Sequence, residues 1–214
     1  MNNYRTVFSY GEAEFIINKS RFIGYANHIK TEEEALDFIE EISTKHRDAT
    51  HNVYAYVVGE NSNIQRFSDD GEPSGTAGIP ALEVIKKEDL RNVVVVVTRY
   101  FGGIHLGAGG LIRAYTKGAK IGLDAAKIVD MVVHQELGIK VDYNLYGKIE
   151  NFLLANEYIV DEVTFDTSVN ISIFVDREEL DRFIKTITDL SSGNIEIKKL
   201  DLVHLPILDG KRLK

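Results

Sequence analysis

The alternation of apolar and polar positions changes character several times along the chain, and each change predicts an element. Val93 to Val97 is an unbroken apolar run. Successive side chains of a strand point to opposite faces, so this strand must be covered on both sides. Thr98, Arg99, Tyr100 and Phe101 carry it into a loop holding Gly102, Gly103, Gly107, Gly109 and Gly110, beyond which a helix opens. In that helix Ala114, Gly118, Gly122 and Ala126 recur at four-residue steps, so they share one face and offer a flat surface for close packing. Arg113, Lys117, Lys120 and Lys127, interrupted by Asp124, form a basic stripe on another face.

Upstream, residues 1–14 read as a lead-in. Phe15 to Ile17 and Arg21 to Ile29 then read as two strands joined at Asn18-Lys19-Ser20, with Gly24 marking a bulge or close packing. Thr31 and Glu34 form a capping box for a helix whose apolar stripe is Leu36, Phe38, Ile39 and Ile42, ending near His46. Val53 to Val58 is a strand closed by Gly59, and the Ser-, Asp- and Gly-rich segment from Arg66 to Gly78 reads as loop. Pro80 fits the first turn of a short helix.

From Ile128 to Val133 the pattern shifts and a second unit begins, which divides the chain into domains at 1–130 and 131–214 with a short, stiff junction near Lys127 to Asp130. Its apolar periodicities give a strand (Leu137 to Val141), a helix ending near Asn156, and strands from Tyr158 to Phe165 and over Ile171 to Val175. A helix opened by Asp176 and Glu179 and a last strand from Ile195 to Val203 follow. The order β-α-β-β-α-β is the split βαβ arrangement, with helices on one face of an antiparallel sheet. The basic tail from Leu205 to Lys214 is expected to be solvated and mobile.

Composition narrows the function classes. The chain has 214 residues, 44% of them hydrophobic, with no apolar run long enough to span a membrane and no signal-peptide pattern, which points to the cytoplasm. It has no cysteine, so thiolate chemistry and disulfides are excluded. A net charge of −8 makes it a poor general coat for nucleic acid, so any such contact must be local, through the basic face.

A strand, a glycine loop and a helix N-terminus together form a ready anion site, because the first helical N–H groups lack partners. The bland alternative is a tight corner that lets the helix sit close to the sheet. Neither a Walker A loop nor a dinucleotide fingerprint is present. Asp69, Asp70 and Glu72 offer carboxylates for Mg²⁺, or else acceptors that order the glycine loop, with Arg66 and Arg99 as neutralising partners; no cofactor is expected unless these acids take Mg²⁺. His46, His51 and His105 show no metal-pair spacing on one helix, and Ser68, His105 and Asp69 lack the Gly-x-Ser-x-Gly elbow of a triad.

Two ordered stretches, Arg66-Phe67-Ser68-Asp69-Asp70-Gly71-Glu72-Pro73-Ser74-Gly75-Thr76-Ala77-Gly78 and Arg99-Tyr100-Phe101-Gly102-Gly103-Ile104-His105-Leu106-Gly107, resemble the signature of the IMPACT/YigZ family. The resemblance implies an α+β chain: an N-terminal domain like domain 2 of ribosomal protein S5, then a ferredoxin-like C-terminal domain. That pair is also similar to the adjacent domains near the C-terminus of elongation factor G-type translation factors. Eukaryotic members of the family are implicated in translational control. The expected function is therefore a translation-associated regulator that binds the ribosome or structured RNA. Arg99, Arg113, Lys117 and Lys120 would meet phosphates, and Gly102, Gly103 and Gly107 would permit close approach. The alternatives are a Mg²⁺-dependent hydrolase of a phosphorylated small molecule and a protein-interaction module. In the second domain nothing reads as catalytic, and its open sheet face carries Phe174 as the one aromatic on the middle strands.

Overall fold

In the computed structural model every residue except Glu60 and Lys214 is described. The chain is an α+β protein with two antiparallel sheets. It divides into one unit at Tyr4–Asp130 and another comprising Met131–Lys214 with Met1–Asn3.

The first unit contains β1 (Tyr4–Val7), β2 (Gly11–Ile17), β3 (Ser20–His28), α1 (Glu32–Lys45), β4 (His51–Val58), β5 (Ile64–Ser68), α2 (Gly78–Lys87), β6 (Val93–Tyr100) and α3 (Gly107–Ala125). Its sheet runs β2-β3-β6-β4-β5, with each neighbouring pair antiparallel. The valine run is the central strand. Val93, Val95 and Val97 pack into one core with α2 and α3, while Val94 and Val96 pack with Ala35, Phe38 and Ile42 of α1 into another. The two-sided apolar run therefore has the cause expected of it: both faces of β6 are roofed by helices.

Helix α1 starts where the capping residues place it. The Thr31 hydroxyl accepts from the Glu34 N–H at 3.2 Å, and the Glu34 carboxylate reaches back to the Lys30 N–H at 2.6 Å. Asn18 and Lys19 both take positive φ in the two-residue turn between β2 and β3. At Gly24 close packing prevails over a bulge. A Cβ there would lie 1.9 Å from the Gly118 carbonyl oxygen, and one on Gly118 would lie 2.6 Å from Cγ1 of Val97. The small-residue face of α3 thus rests directly on the sheet.

Two segments of this unit differ from the sequence reading. The stretch before Phe15 is not merely a lead-in, since it holds β1 and the first half of β2, where Gly11 sits against the backbone of Ala126. Arg66 to Ser68 is strand rather than loop, because β5 pairs with the edge of β4. Its exposed, polar composition hides a strand that is fixed by backbone pairing.

The second unit contains β7 (Ile128–Val141), α4 (Tyr143–Ala155), β8 (Ile159–Phe165), β9 (Val169–Asp176), α5 (Leu180–Leu190), β10 (Glu196–Leu208) and β11 (Lys211–Arg212), in sheet order β11-β10-β7-β9-β8. Leu137, Ile139, Ile171 and Ile173 alternate toward Ile149, Leu153, Phe183 and Ile187 in one core. Asp176 does not cap α5. Its carboxylate closes a turn on the Glu178 N–H at 2.8 Å, and the helix begins one turn later. Nor is the tail loose as far as it is described: β10 continues to Leu208 and β11 pairs back onto it. Arg212 lies 3.3 Å from Asp161 and 4.9 Å from the centre of the Phe174 ring. Among the described residues no helix is long and apolar enough to cross a membrane.

Candidate functional site

The end of β6 and the loop after it form the candidate site. Phe101 donates its N–H to the Thr50 hydroxyl at 2.9 Å, and Gly102 donates to Ser20 at 3.1 Å. Gly102 is glycine because there is no room for anything larger: a Cβ would fall 2.0 Å from the Lys19 carbonyl carbon. Gly103 and Gly107 are glycine for another reason. Both take positive φ, +82° and +68°, and open space lies where their side chains would be. Phe101 and Ile104 are 40% and 43% exposed, and the Phe101 ring centre stands 5.1 Å from that of His105.

The three acids, close in sequence, go to three different tasks. Asp69 accepts from the N–H groups of Gly75, Ala77 and Gly78 at 2.8 to 3.1 Å, which orders the loop and opens α2. Asp70 accepts from the Asn52 N–H. Glu72 turns inward, where Oε1 receives Nη1 of Arg99 at 2.6 Å and the Tyr115 hydroxyl at 2.6 Å, with Nε2 of His51 at 3.7 Å. Burial first, and then this hydrogen bond, push the Tyr115 phenol far above its ordinary pKa, so it stays a donor. Among the described residues no group of three His, Asp or Glu side chains is placed to hold a metal ion. In this arrangement the acids accept hydrogen bonds from backbone N–H groups, Arg99 and Tyr115.

The cations are less uniform than their helical spacing suggests. Arg99 is only 5% exposed and is committed to Glu72. Lys120 lies 2.7 Å from Asp124 and 3.0 Å from Glu88, which matches its charge twice over. Lys117 stands 4.4 Å above the Phe15 ring, and Arg113 is exposed. Arg66 lies on β5, 3.9 Å from Glu32, and does not join the acids. The sequence reading brought Arg99 together with Glu72. It did not bring in Thr50, His51 or Tyr115, because spacing along the chain carries no sign of which side chains β4 and α3 set around the loop.

Between the glycine loop and the Gly71-Glu72-Pro73 turn lies a cleft of about 400 Å³, with Thr50, His51, Arg99, His105 and Ala108 in its walls. His51 is oriented by its Nδ1–H, which donates to the Asp70 carbonyl at 2.6 Å. Above the cleft stands the N-terminus of α3, with no side-chain cap and no acid in its first turn.

Residues 18–123, which include every residue around this cleft, match the model of the Impact N-terminal domain, and 139–194 match a domain of unknown function, DUF1949. The chain belongs to the IMPACT family. It is 45% identical over 205 residues to the IMPACT family member YvyE of Bacillus subtilis, covering 96% of this chain and 94% of that one. It is 31% identical to the family member YigZ of Escherichia coli, over 86% and 92% of the two chains. A eukaryotic IMPACT homologue, from Saccharomyces cerevisiae, matches 41% of this chain at 38% identity. A solved structure described as a crystal structure of a hypothetical protein superposes with a TM-score of 0.59 at 29% identity, covering 94% of this chain and 98% of that one. The chain is therefore a two-domain bacterial-type IMPACT protein.

Proposed function

We propose that this IMPACT protein is a translation-associated regulator that binds the ribosome or a structured RNA through the glycine loop and the exposed side of α3. The observation that carries this reading is the surface of the loop itself. Exposed Phe101 and Ile104 flank bare backbone at Gly103 and Gly107, with exposed Arg113 and Lys117 on the helix that follows. Unstacked bases of RNA loops and ends are recognised by aromatic platforms, and phosphates by nearby cations. The sheet orders and element orders of the two units support reading them as S5 domain 2-like and ferredoxin-like, the pairing also implied for translation factors.

Co-sedimentation with ribosomes at low and high salt tests the proposal. Phosphate-led binding weakens steeply as counterions are added, so the protein should pellet at low salt and be released at high salt. Arg113→Glu and Lys117→Glu should weaken binding and flatten the salt dependence by about one unit of slope per lost contact. Lys120→Glu should do less, since that ammonium already faces Glu88 and Asp124. Protein that stays in the supernatant at both salts would remove direct ribosome binding from the proposal.

A further inference from the structure

Strand β8 ends the second sheet, and its outer edge meets no other strand among the described residues. Sheet edges are usually protected by lysine, proline or a covering segment, because bare N–H and C=O groups invite another chain. β8 contains neither lysine nor proline, and its bulge between Val160 and Glu162 leaves Glu162 to Phe165 in regular register with β9. Apolar surface is uncovered beside it. Leu154, Phe165 and Tyr143 are 68%, 58% and 54% exposed, and the Phe165 ring centre lies 5.4 Å from that of Tyr146 on α4. Between α4 and β8 runs a groove of about 110 Å³, with Tyr146, Leu153, Leu154, Val160 and Val163 in its walls beside the exposed Glu150.

The charges around this groove are of one sign. Glu150 on α4, Asp161 and Glu162 on β8, and Asp166 in the turn after it are all exposed. Asp161 alone of the four has a cation beside it, Arg212 at 3.3 Å. Lys148 of α4 is turned to α5, where its ammonium donates to the Leu190 carbonyl at 2.8 Å. On the open face of the sheet Lys140 and Lys198 stand two and three strands away, roughly 10 and 14 Å.

We propose that the β8 edge receives an extended basic segment of a partner protein, added as a new edge strand. Residues of the guest opposite Val163 and Phe165 are apolar and enter the groove beside Leu154 and Tyr146. Those opposite Glu162 and Thr164 lie on the open face and are lysine or arginine. Main-chain hydrogen bonds supply affinity, and the alternation of side chains supplies selectivity. A second copy of this chain fits poorly, because β8 set against β8 would gather Glu150, Glu162 and Asp166 of both copies along one seam. The site lies in the second unit and stands apart from the RNA reading of the first.

The test is an NMR titration of the ¹⁵N-labelled full-length protein with a capped nonapeptide of alternating valine and lysine. The amides of Glu162 to Phe165 and of Glu150 and Leu154 should shift, with a Kd at or below about 1 mM. An isomer with the valines and lysines in two blocks keeps the charge but loses the alternation, and should bind about tenfold more weakly. Glu150→Lys and Leu154→Ser change exposed side chains, so both should melt with the parent, and each should weaken binding about fivefold or more. Absence of shifts along β8, equal affinity for the blocked isomer, or unchanged affinity in both variants would overturn the proposal. A parent that sediments as a dimer which the peptide dissociates would overturn it as well, since the edge would then belong to a second copy.

Discussion

Breaking the pair between Arg99 and Glu72 should be far more damaging than replacing it whole. Nη1 and Oε1 are 2.6 Å apart and both side chains are more than nine-tenths buried. At an effective dielectric constant of 20, two such charges with centres about 4 Å apart attract by about 4 kcal/mol. Removing one partner forfeits this and strands the other charge, at about 3–5 kcal/mol. An apolar pair of similar volume strands nothing. The series is best built on Tyr115→Phe, so that no hydroxyl is left without its acceptor. On that background Glu72→Leu and Arg99→Met should each lose about 3–5 kcal/mol, and the double variant no more than about 2 kcal/mol. The coupling should then be at least about 4 kcal/mol. Urea unfolding followed by far-UV circular dichroism measures it, since the chain has no tryptophan to report by fluorescence. Single losses that add to within about 0.5 kcal/mol of the double would refute the argument and mean that the two charges are effectively solvated.

Gly24→Ala should destabilise the first unit by about 3 kcal/mol or more, beyond ordinary overpacking, because its Cβ meets the Gly118 carbonyl at 1.9 Å and backbone cannot rotate aside. A urea midpoint close to the parent's would show that α3 can lift off the sheet at little cost. Stability should also fall on acidification through the histidine range. Burial lowers the pKa of both His28 and His46, so as pH falls the unfolded chain takes up their protons first. The stability due to each is complete above the ordinary histidine value and is lost below it. The drop in urea midpoint from about pH 7.5 to about pH 5.5 should therefore shrink in His28→Gln; an unchanged drop would remove His28 from the account.

What the sequence disclosed depended on whether the cause was local. The capping of α1 by Thr31 and Glu34 and the two-sided burial of Val93 to Val97 are consequences of short-range pattern, and both were legible. Strand β5 was not, because Arg66 to Ser68 becomes strand only by pairing with Tyr54 to Tyr56, and no property of the segment announces its partner. The same holds at the site. Asp69, Asp70 and Glu72 look equivalent on the page, but the fold sends the first to the start of α2, the second to β4 and the third into the core against Tyr115, a residue 43 positions away. Helical spacing alone suggested that Lys120 shares the availability of Arg113. The presence of Glu88 beside it, from the far end of α2, could not be read from that spacing.

The contact of Gly24 with Gly118 and Gly122 sets the height of α3 above the sheet by main-chain atoms, which substitution does not alter. Core side chains other than Val97, which lies beneath Gly118, can change size without raising or lowering this helix, provided the glycines remain. The loop at its head is therefore indexed to the strand backbone as a vernier is to its scale. A ligand meeting Gly107 encounters a mount already fixed in place, and little of its binding energy is spent on ordering the receptor.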